Sequence, residues 1–202
     1  MPLVLKDFNT LGYSLGIWEI IEDESFFVKR LNLSDKDKEL LKNAKNNQRR
    51  LEILSVRLLL KSLGINLDIS HSDTGKPIVQ SGNISISHTK RYSALVYHPQ
   101  KKVCVDIEKI SNIVSKSKHL AFSKSEIEFA GIDLELLTTM WCCKECVVKL
   151  TNNIRINFTE QIYVHPFKEN SIIQCDYTNY RTTSHLFFNY LTIKDHVIVW
   201  GG

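Results

Sequence analysis

The sequence predicts an α+β chain organised as two halves of about equal length, 1–102 and 103–202. Three observations carry that reading. Strand signals cluster mid-chain at "NISISHT", "SALVYH" and "KVCVDIEKI". Helical periodicity brackets them, in "RRLEILSVRLLLKSLG" before and "DLELLTTMWCCKECVVKL" after. The tail then returns to short alternating or β-branched runs. Helices bracketing a cluster of strands point to α+β rather than to repeated βαβ units. At 202 residues the chain is one large domain or two compact halves, long enough to bury most of its unfolded surface. Its 43% hydrophobic and 24% charged content, with 8 Gly and 4 Pro, excludes collagen-like, mucin-like and wholly disordered classes.

In order, "YSLGIWEIIE" is rich in β-branched and aromatic residues and predicts a strand, with "FFVKRL" leading into a basic stretch. Ser34 is a helix cap candidate, with Asp37 three positions on as an imperfect capping box. In the next helix Leu51, Leu54, Leu58 and Leu59 fall at helical spacing, and Gly64 can end it in a left-handed conformation. "DTGKPIV" is a turn. In "NISISHT" the alternation sets Ile84 and Ile86 inward and Ser85 and Ser87 outward. "SNIVSKSKHLA" is a linker, a helix starts near Ser123 or Ser125 and breaks at Gly131, and the longest helix of the second half follows. The segments "IRINF", "QIYVHPF", "SIIQCDYT", "SHLFFNYL" and "HVIVWGG" are predicted strands.

The net charge of +4, from 26 Lys and Arg against 22 Asp and Glu, is concentrated. Between Ser34 and Lys61 lie eight basic and four acidic side chains, so this segment carries the whole excess. That favours a local anionic contact over a uniformly basic nucleic-acid surface, although a solvated amphipathic helix gives the same composition. The five cysteines are odd in number and irregular in spacing; Cys143 and Cys146 form a CxxC with no second pair, inside a helical pattern. Free buried thiols in a reducing cytoplasm explain them better than a zinc site or a redox dithiol. No basic n-region leads into an apolar stretch, and no run is long enough to cross a bilayer, so neither a signal peptide nor a membrane span is expected.

Asp106 and Glu108 lie two apart on a predicted strand, which puts both carboxylates on one face, with Val105 and Ile107 on the other. Such a pair suits one Mg²⁺ with retained waters, and it also suits the outward polar face of an edge strand. Glu145 and Lys149, four apart on the helix one turn after Trp141, are either surface decoration or a third carboxylate and a cation turned toward the same place. His88, at the end of "ISISH", can donate to an anionic oxygen or be a satisfied turn residue.

Taken in order, "RRLEILSVRLLLK", "GKP", "NISISHT", "VDIEKI", "FSKSEIEF" and "MWCCKECVVKL" resemble the 4'-phosphopantetheinyl transferase superfamily, in its longer, pseudo-twofold class. These segments span residues 49–149, and the ordered set is far more specific than any one member. The resemblance implies two similar α/β halves in a pseudo-twofold fold, usually monomeric. It also implies Mg²⁺-dependent transfer of 4'-phosphopantetheine from coenzyme A to a serine of an acyl or peptidyl carrier protein, without nucleic acid or membrane.

By the same resemblance, His88 would contact the coenzyme A pyrophosphate, and Asp106 and Glu108 would bind Mg²⁺. Glu145 would complete the metal site or accept the serine proton, and Lys149 would offset charge on the departing phosphate. Lys76 and Pro77 match the nucleotide-side turn. Arg50 is the first candidate for the 3'-phosphate, with Arg49 and Arg57 competing because the helix match leaves its register open. The chain departs from the family pattern at Cys104, where glycine is usual, at "KEC", and in "TNNIRINF" after the last lysine. These departures bear on the pantetheine channel and on carrier choice. Two other classes stay open: a different Mg²⁺-dependent phosphoryl-transfer enzyme or hydrolase, and a noncatalytic nucleotide-binding module.

Overall fold

The computed structural model describes residues 3–8, 12–72, 75–112 and 118–202. It is a mixed α and β chain with three sheets, divided into two units, Met1–Gln100 and Lys101–Gly202. The division falls after Gln100, where the sequence placed it after residue 102. Asp73 and Thr74 of the predicted turn, and residues 113–117 of the predicted linker, lie outside the described residues.

The first unit holds an antiparallel four-stranded sheet in the order β1 (Leu3–Phe8), β2 (Ser14–Glu19), β6 (Tyr92–His98) and β5 (Asn83–His88). A separate hairpin pairs β3 (Ile69–His71) with β4 (Pro77–Val79). "FFV" forms a short helix, α1 (Glu24–Val28), capped by Asp23. Ser34 caps α2 (Asp35–Lys42) by accepting from the Asp37 amide, and its hydroxyl donates to Asp37 Oδ2. Asn46 caps α3 (Asn47–Ser62), and Gly64 follows with φ +71°. The helix lays Leu54, Leu58 and Leu59 into the core with Trp18 and Leu95. Each such side chain contributes roughly 1.5–3 kcal/mol. Gly16 on β2 permits that approach: a Cβ there would meet Leu59 at 3.0 Å and Leu63 at 3.2 Å.

Strand β5 departs from simple alternation. Ser85 is buried along with Ile84, because its partner strand β6 is buried at every position from Tyr92 to Val96 and leaves no open face. The predicted turn "KPIV" contributes β4 as well.

The second unit is an antiparallel five-stranded sheet in the order β7 (Cys104–Lys109), β11 (His196–Gly201), β10 (Thr182–Ile193), β9 (Ile173–Asn179) and β8 (Ile162–Val164). Among the described residues, the helices between β7 and β8 include α4 (Lys118–Ala121), α5 (Lys124–Ala130) and the 18-residue α6 (Leu134–Thr151). Ser123 and Glu126 form a complete capping box on α5, which ends at Gly131 with φ +59°. Asp133 caps α6, and Asn152 closes it in a left-handed conformation. Leu137, Met140, Cys142, Cys143, Cys146 and Val147 of α6 are fully buried, so this is an interior helix rather than an amphipathic surface one. All five cysteines are free and buried.

"IRINF" forms no strand. Asn152 turns the chain after α6, and Asn157 caps a short helix, α7 (Phe158–Gln161), so local Asn chemistry overrides the Ile-x-Ile alternation. No helix among the described residues is long and apolar enough to cross a membrane.

Candidate functional site

In the second unit, period two along β7 brings Asp106 and Glu108 to one face, and that face meets α6 rather than water. Asp106 is only 4% exposed although β7 lies at the end of the sheet. The Lys149 Nζ on α6 donates to Asp106 Oδ1 at 2.7 Å and to the Val105 carbonyl at 2.8 Å. Burial is the largest influence on Lys149 and would lower its pKa, but the charge and hydrogen bond of Asp106, with Cys146 and Glu145, together outweigh it and the net direction is upward. Glu108 is pushed up to about 7, first by burial, then by the charges of Asp106 and Glu145, with Lys149 opposing. Glu145 is raised by burial and by Asp106. The buried Cys142 thiol, raised mainly by its own burial, hydrogen-bonds to Asp106.

Three carboxylates thus crowd one ammonium, and their oxygens are the hard donors that Mg²⁺ prefers. The donor chemistry fits a divalent cation, which would relieve the repulsion that raises Glu108. Among the described residues, no three His, Cys, Asp or Glu side chains are arranged to hold a metal ion. Lys149 has taken one oxygen of Asp106, so a cation there competes with an internal one.

Behind this face lies a feature the sequence did not flag. Lys144 and Glu126 form an ion pair of 2.9 Å with both side chains fully buried. Lys144 also donates to the carbonyls of Phe158 and Ile162, each at 2.9 Å. Glu126 accepts from the amides of Ser123 and Val164 as well. Burial pushes the Lys144 pKa down and Glu126 opposes it. The pair therefore ties α5, α6, α7 and β8 together, and its only trace in the sequence is a capping-box glutamate 18 residues before a lysine.

In the first unit, α3, β5 and the β3–β4 hairpin enclose a cavity of about 120 Å³, lined by Arg49, Glu52, Arg57, His71, Pro77 and His88 among others. That is room for a phosphate group: about four waters at their share of liquid volume. Arg49 Nη1 donates to His88 Nε2 at 2.7 Å. A guanidinium only donates, so Nε2 is the accepting nitrogen of that contact, and Nδ1 lies 3.4 Å from Glu52 Oε2. Glu52 also accepts from Arg49 at 3.1 Å, and Arg57 pairs with Asp37 at 2.6 Å, 10% and 13% exposed. His71, on the rim, has its pKa lowered by partial burial and by the charges of Arg57 and Arg49.

The first-choice anion ligand of the sequence reading stands elsewhere. Arg50 grips Glu24 through Nε and Nη2 and gives Nη1 to the Leu41 carbonyl, so it fastens α3 to α1 and to the end of α2. One helical position turns a side chain by 100°, which is why Arg49 meets the cavity and Arg50 does not. Pro77 and Gly75 line the cavity; Lys76 does not, and its amide donates to Ser72 Oγ to brace the turn. Within the basic segment, Lys38, Arg49, Arg50, Arg57 and Lys61 all have partners inside the unit, so much of the excess is structural. A larger cavity of about 660 Å³ in the second unit, lined by Asp133, Glu135, Phe167 and Tyr190 among others, includes none of the residues singled out in the sequence.

A scan against protein-family models gives no match to this chain, and a search of curated proteins finds no significant match either.

Proposed function

We propose that the chain transfers 4'-phosphopantetheine from coenzyme A to a serine hydroxyl of an acyl or peptidyl carrier protein, on a pseudo-twofold 4'-phosphopantetheinyl transferase-like fold. One observation carries the reading: segments that carry the resemblance, far apart in the chain, meet within each unit. "RRLEILSVRLLLK", "GKP" and "NISISHT" supply the walls of one cavity through Arg49, Arg57, Pro77 and His88. "VDIEKI" meets "MWCCKECVVKL" through Asp106 and Lys149, and "FSKSEIEF" meets it through Glu126 and Lys144.

In this reading Arg49 and Arg57 take the phosphates of coenzyme A, since guanidinium forks match phosphate oxygens and stay charged at all working pH. His88, oriented by Glu52, contacts the pyrophosphate. Glu145 takes the proton from the carrier serine, and its burial makes it a stronger base than an exposed carboxylate. The serine oxygen then bonds to the β-phosphorus as the bond to the bridging oxygen breaks, and adenosine 3',5'-bisphosphate leaves. Lys149 offsets charge as it develops. Asp106 and Glu108 would hold Mg²⁺, joined by Glu145 where it is not the base, once these side chains draw closer than the arrangement described above; the ion would neutralise the pyrophosphate.

The test is intact-mass measurement of apo carrier proteins incubated with the chain, coenzyme A and Mg²⁺. One added phosphopantetheine per carrier supports the proposal, and its loss in Glu145→Gln that persists at saturating Mg²⁺, with folding intact, assigns the base. Cleavage of coenzyme A with no carrier present points instead to a phosphohydrolase, and binding without turnover to a nucleotide-binding module.

A further inference from the structure

The cavity of the first unit contains a group that the catalytic reading leaves unused. His71 closes β3, opposite Pro77 in the hairpin register, and lines the same cavity as Arg49 and Arg57, near enough to feel their charge. The charged and titratable groups around it come from every wall. From α3 these are Arg49, Glu52 and Arg57; from α2, Asp37 through its ion pair with Arg57; and from β5, His88. His88 already has its role in the proposed reaction, and in the free protein its Nε2 meets Arg49 and its Nδ1 faces Glu52. His71 is exposed at the rim and so exchanges protons with solvent.

We propose that His71 is a proton-linked ligand for a phosphate monoester: neutral in the free protein, it takes up one proton from solvent as the dianion enters between Arg49 and Arg57. This rests on the reading of the cavity as a coenzyme A phosphate site and goes beyond it by naming the ligand form that the site selects. With the cavity empty, partial burial and, after it, the two guanidinium groups disfavour a further positive charge on the imidazole. A phosphate monoester brings nearly two negative charges, which reverses the local field. A phosphodiester or pyrophosphate linkage brings about one per phosphorus. The imidazolium is then a third donor on the monoester, so His71 discriminates a terminal phosphate from a bridging one. By linkage, whatever the ligand does to the proton affinity of His71, the proton does to the ligand affinity.

The experiment follows the histidine ring resonances of the full chain by NMR from pH 6.5 to 8.5, with His71 assigned by its loss in His71→Gln. Adenosine 3',5'-bisphosphate and 3'-dephospho-coenzyme A are the probes, and calorimetry supplies the affinities. The pH range stays above the phosphate's own second ionisation, near 6. Saturation with the bisphosphate should raise the proton affinity of His71 about tenfold, and bisphosphate affinity should rise by up to the same factor as pH falls across the range. Dephospho-coenzyme A should move neither, and His71→Gln should flatten the bisphosphate dependence. If the bisphosphate binds while the His71 midpoint stays put, or if His71→Gln keeps the full pH dependence, the assignment is overturned and the nucleotide site stands. If neither nucleotide binds, the cavity is not a coenzyme A site and both readings fall.

Discussion

Replacing Lys144 with Met tests whether the second unit is held by its buried ion pair. The substitution keeps an unbranched stem of similar volume and removes an ammonium that is 0% exposed. It strips the cation from Glu126, whose carboxylate keeps only the Ser123 and Val164 amides, and it leaves the Phe158 and Ile162 carbonyls without their lysine donor. Breaking one side of a buried pair costs about 3–5 kcal/mol, because the other charge stays behind. Glu126→Gln loses the charge but keeps an oxygen for one of the amides, so it should cost about 2–3 kcal/mol. The double variant should cost well under the sum of the singles, with a coupling of about 2 kcal/mol. Urea unfolding followed by tryptophan fluorescence gives the free energies, and hydrogen exchange should place the loss in residues 123–164. A Lys144→Met cost below about 1 kcal/mol, or strict additivity in the double variant, would refute the reasoning.

Arg49→Ala and Arg57→Ala should each weaken coenzyme A by about tenfold or more in calorimetry. Arg50→Ala should leave that affinity near wild type and instead cost about 1–2 kcal/mol in unfolding, and the reverse pattern would return Arg50 to the anion site. Lys149→Met leaves a buried Asp106 facing Glu108 and Glu145, so it should lower stability by about 2–4 kcal/mol in metal-free buffer, and millimolar Mg²⁺ should recover part of it. Unchanged thermal unfolding in both buffers would remove Lys149 as the counter-ion of Asp106. Burial opposes ionisation of Asp176, but hydrogen bonds from His185, His165 and Gln174 win and hold it down at about 2. That contribution, about 1–2 kcal/mol for a side chain 20% exposed, is complete above the ordinary carboxylate range and lost as pH falls toward 2. Asp176→Asn should therefore flatten the acid limb of the stability curve.

Short-range chemistry was the legible part of this sequence. Ser34, Ser123 and Gly64 sit where capping rules put them, because a cap is decided within four residues. The periodicities of α3, α6 and β7 were equally readable, and Asp106 and Glu108 share a face as period two requires. Which face meets what was not readable. The basic helix offered three arginines, and only packing against β5 and the hairpin separates Arg49 and Arg57 from Arg50. Lys144 carries no signal in the sequence, since nothing in "CKEC" reveals a glutamate waiting 18 positions earlier. His71 was one histidine among seven until the hairpin brought it beside two arginines.

The distribution of thiols gives the molecule an internal reporter. Cys104, Cys142, Cys143, Cys146 and Cys175 all fall within Lys101–Gly202, and the described surface offers none of them to solvent. Burial raises the pKa of Cys142, Cys143, Cys146 and Cys175, so in the native state they are short of the thiolate that reacts as well as shielded from reagent. A disulfide reagent added to the folded chain consequently times the opening of the second unit and is blind to the first. Its rate, read with and without coenzyme A, Mg²⁺ or carrier, separates ligands that clamp the carboxylate unit from those that only fill the arginine cavity. No label needs to be introduced.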